Sequence, residues 1–304
     1  MLQKYAILAF LSFVWGTTWI AIKYSLIGIP PFLGASARFL VALACLLGYA
    51  AYKRRSLKIS SKDFSMIFIS SILLYLLDYG LIYWGEQYIN AGATAIFFAT
   101  FPLFTGVVSN FVFRSEAFQW QKFLGLVIGF LGIAIVFYDQ LLQTRFEGMV
   151  VWASIAVIIS ALSAAVSLVM VKKYLSHMET VTLTLHQMIW GVVMLGLIGL
   201  VGGELSLIKY HPQSIIAVVY MGIVASALAF VLYYYLLKEM SAISVSSIIY
   251  ITPVVAILIG WVMLNESITP QIITGMLVTF VGIFVSQMKE YRKYLSRKTV
   301  QKYN

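Results

Sequence analysis

Apolar residues run along this chain in long unbroken blocks, without the alternation of polar and apolar positions that marks a half-buried strand. Ten blocks are legible, at about 5–27, 32–52, 64–86, 91–113, 122–138, 149–171, 180–202, 213–236, 241–264 and 271–288. Each is close to the roughly 20 residues that carry an α-helix across about 30 Å of hydrocarbon. The alternating signature of a membrane β-barrel is missing. The pattern therefore predicts an all-α integral membrane protein of ten transmembrane helices. The block around Phe123–Tyr138 is the shortest, and Gln119 to Phe137 can extend it at the interface. Short connections take up the rest of the chain and leave no room for an extramembrane catalytic domain. The first block reads as a retained helix, not a signal peptide. Lys4 gives it a thin positive flank, no small-residue cleavage site follows, and Trp15-Gly16-Thr17-Thr18-Trp19 stands in its middle.

Composition sharpens this picture. Of 304 residues, 62% are hydrophobic and 11% charged, where a soluble domain carries about 25% charged residues. The 21 basic and 11 acidic side chains are too few to cover a water-facing globule, so the surface meets lipid. A soluble enzyme, a disulfide scaffold and a nucleic-acid-binding domain are excluded as readings of the whole chain. The single Cys45 offers neither a disulfide nor a cysteine metal site, and no cofactor or metal is expected. The net charge of +10 is an orientation signal. With the N-terminus cytoplasmic, 17 Lys and Arg residues fall on the inside, and only Arg145 and Lys209 fall outside. By the positive-inside rule both termini are cytoplasmic. The basic tail, 289–304, reads as a lipid-facing or disordered segment drawn to anionic headgroups.

The chain also repeats itself. At a shift of about 150 residues, Ala91-Gly92-Ala93 meets Ala242-Ile243-Ser244 and Phe101-Pro102-Leu103 meets Thr252-Pro253-Val254. Leu131-Gly132-Ile133 meets Val281-Gly282-Ile283, and Ile82-Tyr83-Trp84 meets Tyr233-Tyr234-Tyr235. Five blocks per half is an odd number, so the second half crosses the membrane in the opposite sense. The expected organisation is two inverted five-helix repeats, 5–138 and 149–288, followed by the tail. Inverted repeats are the architecture of many secondary transporters.

These residues resemble a known family. The chain is similar to ten-helix members of the drug/metabolite transporter superfamily that carry two EamA domains. Trp15-Gly16-Thr17-Thr18-Trp19 with Lys23 matches that domain's opening motif, and Arg38 matches the arginine typical of its second helix. Pro102 with Glu116, and Pro253 with Glu266, match the Pro-then-acidic pattern of each repeat's fourth helix. The resemblance implies a carrier of small metabolites, such as amino acids or drug-like compounds, often an exporter and independent of ATP. The sequence holds no Gly-x-x-x-x-Gly-Lys-Ser/Thr loop for nucleotide phosphates. The second half departs from the doubled motif: Ser160-Ala161-Leu162-Ser163-Ala164-Ala165 stands where the first half has Trp-Gly, and Gln187 stands opposite Arg38.

Ionisable groups inside hydrocarbon are costly and mark candidate sites. Asp78 is the clearest, midway along the third block. Helical spacing places Tyr75, Asp78, Tyr79, Ile82 and Glu86 on one face, which joins a carboxylate to aromatic hydroxyls. Asp78 reads as a cation-binding or proton-carrying group, or as an internal partner for Lys23 or Arg38. Lys23 either snorkels to the interface or takes part in coupling. Arg38 reads as a clamp on carbonyls or an acidic partner, or as a contact for a substrate carboxylate. His186 is a packing histidine or a proton carrier, and Glu116 and Glu266 pair with or cap the connections that follow them. Pro102 and Pro253 interrupt their helices, which makes Phe97, Phe98, Thr100, Ser246, Ser247 and Tyr250 candidate lining residues. Trp15, Thr18, Trp19, Ser163, Ser167 and Tyr234 complete the candidate substrate-binding set, with at least one Tyr of each aligned aromatic cluster expected in the cavity. Gly125-x-x-x-Gly129 permits close helix packing without fixing an oligomeric state.

The expected function is a secondary-active carrier, in the prokaryotic plasma membrane, exporting small organic metabolites such as amino acids, amines or amphiphilic drugs by alternating access. Its partners are that solute, the bilayer and a coupling proton, with no nucleic acid. Two alternatives stay open: a nucleotide-sugar or phosphate-ester carrier, which wants several converging cations, and a membrane enzyme using Asp78 and His186 as acid and base.

Overall fold

A computed structural model describes residues 2–114, 119–264 and 269–303. Helices dominate, and no strand occurs among the described residues. Seven helices are long and apolar enough to cross a membrane: α1 (Gln3–Leu26), α2 (Pro31–Tyr52), α3 (Ser61–Gly85), α4 (Ala91–Val112), α6 (Met149–Leu175), α7 (Thr180–Val201) and α8 (Pro212–Glu239). Three shorter apolar helices, α5 (Trp120–Val136), α9 (Ala242–Val255) and α10 (Pro270–Ser286), bring the set to ten among the described residues. Glu116 and Glu266 lie outside the described residues. The backbone of the last helix stays helical from Pro270 to Tyr303, so the basic tail continues α10.

Helix starts follow local chemistry. Side-chain oxygens of Ser60, Asn90, Glu179 and Ser241 accept from backbone N–H groups in the first turns of α3, α4, α7 and α9. Proline opens α2, α8 and α10, where its missing N–H costs nothing.

The most extensive pairings join α5 to α10 and α2 to α7, in each case one helix from each half. Glycine makes the first of these possible. A methyl group on Gly282 would stand 2.3 Å from the Gly129 nitrogen, and one on Gly125 would stand 2.4 Å from the Ser286 nitrogen. The Gly125-x-x-x-Gly129 motif is thus used inside the chain, backbone against backbone.

The structure repeats as the sequence does. α2 and α7 are each 22 residues long, with Arg38 and Gln187 at the same position in each. α3 and α8 each contain a wide π-helical turn, over Ile72–Tyr79 and Ile223–Leu228, beginning at the same offset as Tyr83 and Tyr234. Such turns throw backbone carbonyls out of register, and each finds a donor on the first helix of the other half. Trp15 Nε1 donates to the Ala225 carbonyl (3.2 Å), and Ser163 Oγ donates to the Leu73 carbonyl (2.8 Å). The lysines match as well. Lys23 Nζ donates to the carbonyls of Glu86 and Ile89 (2.6 Å to the latter) at the end of α3. Lys172 Nζ donates to those of Leu237 (2.5 Å) and Met240 (2.9 Å) at the end of α8.

The α5–α10 seam yields a test. Gly282→Leu forces two backbones apart and is expected to destabilise by about 1–3 kcal/mol, the usual scale of overpacking. Leu277→Val, at an exposed position on the same helix, is expected to leave the melting temperature in detergent nearly unchanged.

Candidate functional site

A cavity of about 80 Å³ lies at the centre of the bundle, where three helices are interrupted. α1 breaks at Thr17, α4 at Ala99-Thr100 and α9 at Ser247. Around these breaks, α1 presents Trp15, Thr18, Trp19 and Ile22, α4 presents Phe98 and Phe101, and α9 presents Ile249 and Thr252. The wide turn of α3 adds Leu74, Asp78 and Tyr79, with Ile82 just beyond it. Phe230, Tyr233 and Tyr234 close the side of α8, and Ala164, Ser167 and Leu168 that of α6. Every lining residue is buried or half-buried.

Aromatic rings form most of the wall and hold one another in place. Trp15 meets Tyr233 edge-on at 4.9 Å, Trp19 meets Phe98 at 5.6 Å, and Phe98 stacks on Phe101 at 5.6 Å. Such pairs add about 0.5–1.5 kcal/mol each beyond their buried area. A cation inside would face several of these π-surfaces.

Two charged side chains share this apolar wall. Arg38 is 1% exposed. Its Nε donates to Ser226 Oγ (2.7 Å), and Nη2 donates to the Ala225 carbonyl (3.3 Å). Nη1 lies 3.8 Å from Met221 Sδ, and the guanidinium stands 4.9 Å over the Tyr79 ring. Asp78 is 3% exposed, and its Oδ1 has no hydrogen-bond partner. The Asp78 and Arg38 side chains form no ion pair with each other. A buried carboxylate oxygen left open in a cavity wall is costly unless a ligand, a proton or water occupies it.

Of the candidates, Asp78, Tyr79, Trp15, Thr18, Trp19, Phe98, Ser167, Tyr234 and Arg38 come together here. Others do not. Tyr75 is fully buried on the α7 side, its ring filling the space left by Gly191. The wide turn rotates Leu74 into the place that ideal helical spacing gave to Tyr75. Tyr250 donates to the Leu126 carbonyl (2.9 Å), Ser247 to that of Ile243 (3.0 Å), and Thr100 to that of Phe97 (2.6 Å). Phe97 packs on Phe146, and Ser163 is engaged with Leu73 as described. Lys23 neither snorkels nor lines the cavity, because its ammonium caps α3. His186 Nδ1 bonds the Thr182 carbonyl (2.8 Å) one turn away on its own helix. Pro102 and Pro253 are buried outside the lining. The α4 break falls just ahead of Pro102, whereas Pro253 lies inside a continuous helix and its α9 break comes earlier, at Ser247. From the aligned aromatic clusters, Tyr233 and Tyr234 line the cavity, but Ile82 does so in place of Tyr83.

Phe230, Phe101, Ile249 and Thr252 line the cavity without having been singled out. One signal was available: Phe230 stands at the repeat position of Tyr79, on the same offset that relates Tyr83 to Tyr234.

A duplicated bundle of apolar helices, broken at its centre around an aromatic-walled cavity, is the build of a membrane transporter. The chain belongs to the EamA-like transporter family, which matches residues 3–138 and 151–288, within the drug/metabolite transporter superfamily. It is 26% identical to YoaV, an uncharacterized transporter of Bacillus subtilis, over 90% of this chain and 93% of that protein. It is 30% identical to an uncharacterized transporter of Buchnera aphidicola over 81% of each chain, and 24% identical to the protein PagO of Salmonella typhimurium over 90% of each. One crystal structure matches with a TM-score of 0.78 at 16% identity, over 95% of this chain and 98% of that one, a likeness of fold alone. The chain is thus a multi-pass integral protein of the prokaryotic plasma membrane.

Thr252 offers a local test. Pro253 donates no N–H to the Ile249 carbonyl, and Thr252 Oγ1 donates to it instead (3.0 Å). Thr252→Val leaves that carbonyl unpaired and is expected to cost about 1–3 kcal/mol. Thr252→Ser is expected to retain most of the wild-type melting temperature.

Proposed function

We propose that this chain is a secondary-active carrier that exports small organic solutes, of the amino acid, amine or amphiphilic drug class, by alternating access. The open Oδ1 of Asp78 inside an aromatic-walled cavity carries this reading. An ammonium group satisfies that oxygen and faces the π-surfaces of Trp15, Trp19 and Tyr79, while Arg38 across the wall draws a carboxylate. The same carboxyl can exchange the solute for a proton, which provides the coupling. At about 80 Å³ the cavity falls short of the roughly 300–1,000 Å³ of a ligand site, so loading requires the bundle to open.

The two other readings are less favoured. A phosphate-ester carrier wants converging cations, and among the described residues Arg38 is the only cationic one in the lining, Lys23 being committed to carbonyls. An acid–base enzyme built on Asp78 and His186 wants both at one place, and His186 is absent from the lining. A carrier that is not an enzyme remains the better account.

Purified protein in liposomes is expected to exchange radiolabelled amino acids or amines without ATP. No flux across a broad panel sinks the proposal. Asp78→Asn is expected to lower that flux at least tenfold while keeping the wild-type elution profile, and wild-type rates would remove Asp78 from the site. Cytoplasmic termini follow from the 17 inside-facing basic residues. A C-terminal tag is therefore expected to be digested in inside-out vesicles and protected in right-side-out ones.

A further inference from the structure

Two three-residue clusters occupy repeat-equivalent positions on opposite sides of the cavity. In the first, Gln187 Nε2 donates to Ser70 Oγ (2.7 Å) and Tyr234 OH donates to Gln187 Oε1 (2.5 Å). In the second, Arg38 Nη1 lies 3.8 Å and Tyr83 OH 3.6 Å from Met221 Sδ. Gln187 takes the place of Arg38 in the repeat, and Tyr234 that of Tyr83. Ser70 takes that of Met221, each lying two residues before the wide turn of its helix. Each cluster ties α3 of one half to α8 of the other, through the α7 side chain in the first and the α2 side chain in the second.

The clusters lie toward opposite faces of the bundle. Lys4, at the start of α1, pairs with Glu239 at the end of α8 (2.8 Å), which fixes the face that Tyr234 approaches. Lys23, near the other end of α1, caps the end of α3 beside Tyr83, which fixes the opposite face. All six side chains are buried. In lipid no hydrophobic force drives the helices together, so directional bonds between α3 and α8 on both sides of the cavity contribute, beside close packing, to keeping these helices together.

We propose that Gln187, Tyr234 and Ser70 form a latch that closes the cavity toward the N-terminal face, and that Arg38, Tyr83 and Met221 form its inverted counterpart toward the other face. Opening to one side breaks one latch and spares the other. The latches differ in chemistry: the first is built of two short oxygen and nitrogen bonds, whereas the second combines long contacts to Met221 sulfur with the bonds of Arg38 to Ser226 Oγ (2.7 Å) and the Ala225 carbonyl (3.3 Å) on the same helix. Arg38 in this role is a positioning residue as well as a charge on the cavity wall.

This inference rests on the alternating-access reading, but its test needs no solute. Ala164→Cys places a thiol in the cavity wall, in a Cys45→Ser background, and a membrane-impermeant maleimide is applied to right-side-out and inside-out vesicles. Tyr234→Phe keeps the ring and removes the hydroxyl. It is expected to raise the labelling rate about two- to tenfold from the N-terminal face alone, the scale of one lost hydrogen bond. Tyr83→Phe is expected to raise it from the opposite face alone. Gln187→Leu, which breaks both bonds of the first latch, is expected to exceed Tyr234→Phe on the same face. Unchanged rates in all three folded variants, or acceleration from the same face by both Phe variants, overturns the proposal. Face-specific labelling in a protein without flux upholds the latches and sinks only the solute assignment. Flux with labelling indifferent to the variants does the reverse.

Discussion

In hydrocarbon every backbone N–H and C=O must find its partner inside the protein, and the arrangement of this molecule follows from how it meets that demand at its irregular turns. A straight helix meets it alone. A helix that breaks or widens releases carbonyls, and nothing outside the bundle can accept the duty of pairing them. The breaks in α1, α4 and α9 and the wide turns of α3 and α8 therefore gather at the centre, and other helices supply donors. Trp15, Arg38 and Ser163 serve the wide turns, Thr252 the proline in α9, and Lys23 and Lys172 the ends of α3 and α8. The cavity is where backbone regularity has been given up, and its polar residues are in large part those that make this tolerable.

That origin explains why so many polar candidates proved to be occupied. Serine and threonine in an apolar helix suggest a solute contact, but Ser163, Thr100 and Ser247 are bonded to carbonyls. Asp78 is different because an acceptor cannot serve a carbonyl. Other buried oxygens, such as those of Glu86 and the Tyr75 hydroxyl, are also unpaired, but among the described residues Asp78 Oδ1 is the one that belongs to the cavity lining, and this gives the functional reading its weight.

The ten helices, their approximate limits and the duplication were legible because each rests on long apolar runs and well-separated landmarks such as Pro102 with Pro253. The site was legible in part. Trp15, Trp19, Asp78, Tyr79 and Tyr234 could be picked out because bulky or charged groups in hydrocarbon need an interior. Tyr75 and Leu74 were exchanged because the wide turn changes the angular step between residues, and the local sequence ILLYLLDY carries no mark of that turn. Phe230 and Tyr233 look like ordinary membrane aromatics until the repeat places them opposite Tyr79 and Ile82. Gln187 showed itself only as the absence of an arginine, and its bonds to Ser70 and Tyr234 depend on how α3, α7 and α8 converge.

The divergence between the halves has an electrical consequence. Backbone architecture is shared, but Ala229 occupies the position corresponding to Asp78 and Gln187 that corresponding to Arg38. Both cavity charges thus belong to the first half, and the second contributes neutral rings and hydroxyls. The chamber carries a fixed polarity even though its scaffold is nearly symmetric. In the proposed alternating-access cycle, a solute with separated charges would settle in one orientation relative to the first half and present the same end to a given side each time. The shared backbone plan makes the two sides similar, and charge makes them distinguishable.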